Sequence, residues 1–177
     1  MVYFLMTDGF EEIEAITPID FLRRCGVEVK TVSVGEKRVV GAHDIALEAD
    51  ITFDEVKKED MNMLVLPGGP GHTGLKCEKV FSLIRYAAEN NIFIGAICAA
   101  PSIIGEMGLL SGKKATCFPG YEKMLTGAVL SDKSAVRDGS FITACGAGAA
   151  GEFAFLLAKA LLGSEKAEAV KRAMQYR

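Results

Sequence analysis

The sequence feature that most constrains the fold is an apolar stretch over residues 92–105, IFIGAICAAPSIIG, with one thiol in its middle. Its first half is a continuous apolar run, which is typical of a strand buried on both faces of a sheet. Its second half carries Pro101 and then apolar residues at helical spacing, and proline is well tolerated in the first turn of a helix. Cys98 is therefore predicted to lie on a sharp strand-to-helix turn at the carboxyl end of a strand, where open α/β sheets place their ligand sites.

A cysteine at such a turn is similar to the serine of a nucleophile elbow, with sulfur in place of oxygen. The N–H groups that begin the following helix would favour thiolate over thiol, so the position predicts a lowered pKa for Cys98. The alternative is that Cys98 is one more buried cysteine that packs as a small hydrophobe. This stretch alone leaves both interpretations open.

Strands and helices alternate along the rest of the chain. An apolar run over 2–6, helical spacing from Ile13 to a stop at Gly26, and a strand over 27–34 make a βαβ unit, which implies parallel pairing. The other predicted elements are an edge hairpin over 39–47, strands over 63–66, 115–118 and 141–144, helices over 75–90, 101–108 and 121–125, and a helical segment from 149 to the end, interrupted near 163–164. No linker or repeat divides them, so we expect one doubly wound α/β domain over 1–177, with a mostly parallel sheet and helices on both faces.

Composition excludes several classes of function. A formal net charge of −3 with interspersed signs argues against a nucleic-acid surface. The longest uncharged stretch is too short to cross a bilayer, and the opening MVYFLM lacks the basic region of a signal peptide. The five cysteines are odd in number and form no CxxC pair, which favours free thiols in a reducing cytoplasm. His43 and His72 have no ligand-like spacing, so we expect no metal site.

Two glycine clusters follow strands. In PGGPG, the backbone N–H groups around Gly68 and Gly69 could form half of an oxyanion hole, and an ordinary tight turn is the equal alternative. The second cluster, GAGAAG over 146–151, has the form GxGxxG. A dinucleotide site would need a further strand with an acidic residue about twenty positions on. Only helical sequence follows, so we interpret these small residues as helix–strand packing and expect no cofactor.

Glu14 is the most informative residue of the acidic turn after the first strand. Carboxylates are favoured at a helix start, so electrostatics alone could explain the three glutamates there. Glu14 differs from Glu11 and Glu12 because its neighbours are apolar, which would direct its carboxyl toward the sheet edge that also carries Cys98. A carboxyl buried beside a thiol would be pushed toward its protonated form and could donate a hydrogen bond to sulfur.

Three motifs in this order, DGFEEIE after the first strand, LPGG after the middle strand and AICAAP at the turn, resemble the ThiJ/PfpI superfamily, and within it the branch of the parkinsonism-associated deglycase. The similarity runs over essentially the whole chain. The resemblance implies a flavodoxin-like, three-layer sandwich that is usually a homodimer. It also implies that Cys98 is the nucleophile, that Glu14 is its protonated partner, and that the N–H groups of Gly69 and Ala99 bind the oxyanion.

At three positions this chain departs from the residue patterns of particular branches of the superfamily, and these differences bear on which activity it has. The protease-like branch has a histidine directly after the nucleophile, where this chain has Ala99. Amidotransferase relatives need a downstream histidine, and none follows Cys98. The deglycase branch often has a histidine before a proline after the elbow helix, and here Phe118 stands there, so a general acid/base is missing unless His72 serves instead.

Two main hypotheses follow. The first is a cofactor-free glyoxalase or deglycase acting on small 2-oxoaldehydes or their adducts, with Cys98 attacking the aldehyde carbon and Glu14 moving the proton. The second is a redox sensor or protective protein, in which an oxidant converts Cys98 to a sulfinate held by Glu14. A role in thiamine-precursor metabolism is implied only by the old family name, and no residue supports it.

Overall fold

The computed structural model describes residues 1–176. Eleven strands are found in this range: β1 (Val2–Met6), β2 (Val29–Ser33), β3 (Arg38–Val40), β4 (Ala46–Glu48), β5 (Ile51–Thr52), β6 (Met63–Leu66), β7 (Phe93–Ile97), β8 (Lys114–Ala115), β9 (Val129–Leu130), β10 (Ala135–Asp138) and β11 (Phe141–Ala144). The α-helices are α1 (Glu12–Arg24), α2 (Glu78–Glu89), α3 (Pro101–Glu106), α4 (Ala150–Leu162) and α5 (Ser164–Ala173). Within the described residues, none of these helices has the length and apolar character needed to cross a membrane.

Seven strands form one sheet in the order β10-β11-β7-β6-β1-β2-β5. All neighbours in it are parallel except the edge pair β10–β11. This confirms the predicted flavodoxin-like, doubly wound α/β fold. After β1 the chain first builds outward through β2 and β5, then crosses to β6 on the other side of β1. The point where the order reverses therefore lies between β1 and β6, and ligand sites in such sheets occur beyond the strand ends at this point.

Alternation along the strands divides the interior into two cores. Phe4 and Met6 of β1 face the side covered by α1, α4 and α5. Tyr3 and Leu5 of the same strand face α2 and α3. Because both faces are covered, each central strand is apolar at every position, which explains the continuous apolar runs of the sequence.

Some predicted elements differ in the structure. The expected strand over 115–118 is only β8, because Thr116 donates its N–H to the Thr143 side chain at 2.9 Å and the chain then turns toward Cys98. The interruption expected near 163–164 is confirmed: the last helical segment is two helices, separated at Gly163, whose φ of +84° is one that glycine adopts readily. The antiparallel strand β10 was not predicted. The predicted hairpin is confirmed as the antiparallel pair β3–β4, which forms a separate two-stranded sheet and not an edge of the main one.

Candidate active site

Cys98 lies on the predicted strand-to-helix turn, one residue after β7 and three before α3. Its φ is +64°, in the left-handed region that a non-glycine residue adopts at a cost of about 1–2 kcal/mol. Two hydrogen bonds hold this conformation: the Cys98 N–H donates to the Ala144 carbonyl at 2.9 Å, and the Cys98 carbonyl accepts from the Phe118 N–H at 2.8 Å. The turn therefore presents the thiol at the carboxyl edge of the sheet, between the loops that follow β8 and β11.

Glu14 reaches the same edge from the first turn of α1. Glu11 caps that helix, its carboxylate accepting from the Glu14 N–H at 2.7 Å. The Glu14 side chain is 1% exposed, and its Oε2 accepts from the Gly68 N–H at 3.0 Å. The same carboxyl is hydrogen-bonded to the Cys98 thiol. The structure thus brings together the two side chains that the sequence singled out, although they are 84 positions apart in the chain.

Two consecutive glycines make this close approach possible. A Cβ on Gly68 would lie 2.5 Å from both the Cys98 Cβ and the Glu14 Oε2. Gly69 has φ +85°, and a Cβ there would lie 2.6 Å from the Glu11 backbone nitrogen. The N–H of Gly69 and that of Ala99 donate toward the Cys98 sulfur, whereas the Gly68 N–H is used by Glu14. The PGGPG loop therefore supplies one donor to the sulfur and one to the carboxyl.

Burial dominates the electrostatics of the pair. It raises the pKa of Glu14 to about 7, against the opposing hydrogen bonds from Cys98 and Gly68. Burial and the negative charge of Glu14 raise the pKa of the Cys98 thiol to about 12, against the lowering effect of the Gly69 and Ala99 N–H groups. This is opposite to the lowered thiol pKa expected from the sequence. The reason is that burial and the adjacent Glu14 carboxylate outweigh the N–H groups directed at the sulfur.

Phe118 and His72, the other two side chains that the sequence singled out, both contact segments of the site. The Phe118 side chain is 47% exposed, and its ring Cδ2 would lie 3.4 Å from a Cβ built on Gly146. His72 is 7% exposed, and its Nδ1 lies 2.9 Å from the Gly69 carbonyl, to which it must donate. The His72 ring also packs edge-on against Tyr121 at 5.5 Å between centroids. His72 therefore fixes the glycine loop.

A cluster of ionisable side chains lies beside the start of α1, and the spacing of these residues in the sequence did not predict it. Potential ligand atoms of Glu11, Glu12 and His43 lie within 4.8 Å of one another. Both carboxylate oxygens of Glu12 accept from His43, one from its N–H at 2.7 Å and one from its Nδ1 at 2.8 Å. Since Glu11 caps the helix, this group is explained by hydrogen bonds that fasten the β3–β4 hairpin to α1, and it gives no reason to assign a metal.

Fold and site together define a class: a doubly wound α/β protein whose cysteine lies on an elbow next to the topological switch of the sheet and is hydrogen-bonded to a buried carboxyl. The sequence specifies this class more closely. Residues 1–160 match the DJ-1/PfpI family, and the chain belongs to that family. This confirms the resemblance seen in the three motifs.

Relatives and solved structures agree with this assignment. The chain is 38% identical over 165 residues to the protein DJ-1 homolog B of Arabidopsis thaliana, covering 91% of this chain but only 38% of that longer protein. It is 32% identical to Deglycase PH1704 of Pyrococcus horikoshii, covering 80% of this chain and 87% of the relative. The structure of Drosophila melanogaster DJ-1beta aligns over 99% of this chain and 97% of its own with a TM-score of 0.92 at 33% identity. The structure of oxidized Toxoplasma gondii DJ-1 also aligns over 99% of this chain and 97% of its own, with a TM-score of 0.94 at 28% identity.

Proposed function

We propose that the protein is a cysteine-dependent, cofactor-free enzyme of glyoxalase or deglycase type, acting on small 2-oxoaldehydes or on their adducts with amines and thiols. The observation that carries the proposal is the hydrogen-bonded pair of Cys98 and Glu14, with the N–H groups of Gly69 and Ala99 directed at the sulfur. A nucleophile, a proton carrier and two donors in one place are the groups that addition to a carbonyl requires. The similarity to Deglycase PH1704 supports the same class of reaction.

Because the resting thiol holds its proton tightly, we propose that Glu14 removes that proton as the carbon–sulfur bond forms. With its pKa near 7, Glu14 is present at neutral pH in both the form that accepts a proton and the form that donates one. The Cys98 Sγ adds to the aldehyde carbon, and the Gly69 and Ala99 N–H groups stabilise the resulting oxyanion. Glu14 then gives the thiol proton to this oxygen, so the product is a hemithioacetal and Glu14 is again a carboxylate.

In the second step, Glu14 takes the proton from the former aldehyde carbon and returns it to the adjacent ketone carbon. The product is a thioester of a 2-hydroxy acid. Water then cleaves the carbon–sulfur bond, which releases the hydroxy acid and restores the thiol. Since Phe118 offers no proton, Glu14 is the group in this site that can serve both steps, and His72 is engaged with the Gly69 carbonyl.

Turnover of methylglyoxal by purified protein tests the proposal. We expect formation of lactate by the parent protein and its loss in Cys98→Ala, by at least about a hundredfold, because the covalent intermediate cannot form. The matched control is Cys77→Ala, which removes another half-buried free thiol outside the site and should keep the parent rate. Equal turnover by Cys98→Ala and the parent would overturn the proposal.

A second function, protection against or sensing of oxidants, is favoured by one observation. The protonated Glu14 carboxyl can donate to an oxygen on an oxidised Cys98 as readily as to the sulfur, so the site could hold a sulfinate. The solved Toxoplasma gondii relative is described as oxidized. Parent protein that oxidises cleanly at Cys98 with mild peroxide but does not convert methylglyoxal would give this function first place.

We further propose that the protein acts as a homodimer in the cytoplasm. Ile13 and Ile16, on the outer side of α1, are 53% and 42% exposed, which is unusual for two isoleucines one turn apart on a helix. A second copy that packs against this surface would bury them close to Glu14, at the start of the same helix. The cytoplasm would keep the five thiols reduced.

A further inference from the structure

Three of the five free thiols gather at the carboxyl edge of the sheet. Cys98 follows β7, Cys117 lies two residues beyond β8, and Cys145 follows β11 directly. The proposed function uses Cys98 alone. The other two thiols belong to the loops that hydrogen-bond to the Cys98 backbone, so their positions relative to Cys98 are fixed by main-chain contacts.

The parallel ladder between β7 and β11 ends with Ile97 opposite Ala144, and Cys98 and Cys145 are the next residues of the two strands. Within this ladder Ile94 is paired with Phe141 and donates its N–H to the preceding residue, Ser140. Cys98 donates its N–H to Ala144 at 2.9 Å, so by the same offset its partner is Cys145. Neighbouring strands lie about 4.8 Å apart, and disulfides join Cα atoms about 4.4–6.8 Å apart. The main-chain spacing therefore suits a Cys98–Cys145 bond.

Burial distinguishes Cys145 from Cys117 as a partner. Cys145 and Cys98 are both half-buried, and both pack against the core on the α1 and α4 side of the sheet. Cys117 is 7% exposed and belongs to the opposite core. Burial, with the charges of Glu122 and Cys145, raises the pKa of Cys117 to about 11, so the Cys117 thiol is a weak nucleophile at neutral pH.

We propose that Cys145 is the resolving thiol for oxidised Cys98, so that oxidation of the site ends in a reversible Cys98–Cys145 disulfide. The inference rests on the reactivity of Cys98 in the proposed function. A hydroperoxide first oxidises Cys98: a sulfur–oxygen bond forms, the peroxide O–O bond breaks, and the peroxide is reduced to water or an alcohol. The Cys145 sulfur then attacks the Cys98 sulfur, the S–S bond forms, and hydroxide leaves, taking up a proton as water.

The Glu14 carboxyl is placed to assist the second step. It is hydrogen-bonded to the Cys98 sulfur and half-protonated near pH 7, so it can supply the proton to the departing hydroxide. The loop after β11 also borders this carboxyl, since a Cβ on Gly146 would lie 3.9 Å from the Glu14 Oε1. Disulfide formation would protect Cys98 from irreversible oxidation and would stop turnover until a thiol reduces the bond.

Peroxide titration of the full-length protein, followed by alkylation of the remaining thiols and peptide mass analysis, tests the proposal. In the parent we expect a Cys98–Cys145 cross-linked peptide, with loss of methylglyoxal turnover that dithiothreitol restores. In Cys145→Ser we expect unchanged turnover before oxidation. Upon oxidation, roughly tenfold more Cys98 should carry sulfinate, which dithiothreitol does not reverse. Cys77→Ser is the matched control and should behave like the parent.

The outcomes separate this proposal from the proposed function. Oxidation of Cys98 to sulfinate at equal rates in the parent and Cys145→Ser overturns the resolving role while leaving the reactive thiol intact. A Cys98–Cys117 cross-link in the parent also overturns it. If peroxide leaves Cys98 unmodified in both proteins while methylglyoxal is still converted, the resolving role is refuted and the proposed function stands. Dimedone trapping in Cys145→Ser gives a second readout, because the sulfenic acid should accumulate there if Cys145 normally consumes it.

Discussion

At the Cys98–Glu14 pair, a buried thiol and a buried carboxyl compete for protons, and neither keeps the pKa that it has in water. The Glu14 carboxyl gains from being neutral, because burial and the charge of Glu11 disfavour its ionised form more than the hydrogen bonds from Cys98 and Gly68 favour it. The Cys98 thiol stays protonated until a base in contact removes its proton. The reactivity of this site therefore belongs to the pair, and a change to one residue should alter the chemistry of the other.

Glu14→Gln separates the two roles of the carboxyl. Glutamine keeps the size, can accept from the Gly68 N–H and can donate to the Cys98 sulfur, but it cannot carry a proton. We expect methylglyoxal turnover to fall by about 10²–10⁴, with Cys98 still open to alkylation and to peroxide. Steady-state kinetics and iodoacetamide labelling of the same preparation measure both quantities. Turnover by the variant at the parent rate would show that Glu14 is not the proton carrier.

The raised pKa of Glu14 also predicts how stability depends on pH. An unfolded glutamate has a pKa near 4.5, so between about pH 4.5 and 7 the folded protein binds more protons than the unfolded chain. The contribution of this group to stability is therefore largest below pH 4.5 and is lost as the pH rises through 7, by roughly 3 kcal/mol.

Urea unfolding at pH 5 and pH 8, for the parent and for Glu14→Gln, measures this contribution. Because the variant lacks this titrating carboxyl, the loss of unfolding free energy between the two pH values should be smaller in it by roughly 2.5 kcal/mol. Equal losses in parent and variant would contradict the raised pKa of Glu14.

At the scale of elements, the site depends on how closely the loop after β6 approaches the turn after β7. Gly68→Ala would place a methyl group 2.5 Å from the Cys98 Cβ and 2.9 Å from the Ile97 carbonyl, both of them fixed by the backbone. We expect turnover to be lost and stability to fall by about 1–3 kcal/mol, which thermal unfolding and kinetics would measure. Gly148→Ala is the control, since nothing lies within 4 Å of a Cβ there.

The elements that sequence predicted well are those with strong and continuous patterns. The apolar runs of β1, β6 and β7 are buried on both faces, and alternation with helices is enough to predict a parallel sheet around them. β10 is an edge strand with two buried residues out of four, so its pattern in the sequence is weak. Its pairing with β11 depends on a tertiary contact that no local signal encodes.

The same distinction holds for the site. The turn that carries Cys98 was predictable because strand, small residues and proline are contiguous in the sequence. The direction in which the pKa of the Cys98 thiol shifts was not predictable, because it depends on a carboxyl that packs against the sulfur from α1. The hydrogen bond that joins His43 to Glu12 and the alignment of Cys145 with Cys98 likewise arise from pairing between distant segments. Sequence pattern identifies candidate groups, and packing decides their protonation and their partners.

At the scale of the whole molecule, α1 links the site to the outer surface. One side of the helix buries Phe21 and Leu22 in the core, and its first turn places Glu14 against Cys98. The opposite side exposes Ile13 and Ile16. A second copy bound to this side would hold α1 in place from outside, so the assembly and the position of Glu14 should be coupled.

Ile16→Asp tests this assembly. If α1 forms the homodimer interface, a buried carboxylate there should weaken association by at least about a hundredfold, so the variant should be a monomer at micromolar concentrations where the parent is a dimer. Light scattering after size-exclusion chromatography measures the mass of each. Val129→Asp is the matched control, because Val129 is an apolar residue that is 52% exposed on β9 and should leave the dimer intact. Dimers of unchanged mass and affinity in Ile16→Asp would place the interface elsewhere.

Since α1 also carries Glu14, we expect the monomeric variant to lose part of its turnover. A monomer with the full parent rate would show that the site is complete within one chain.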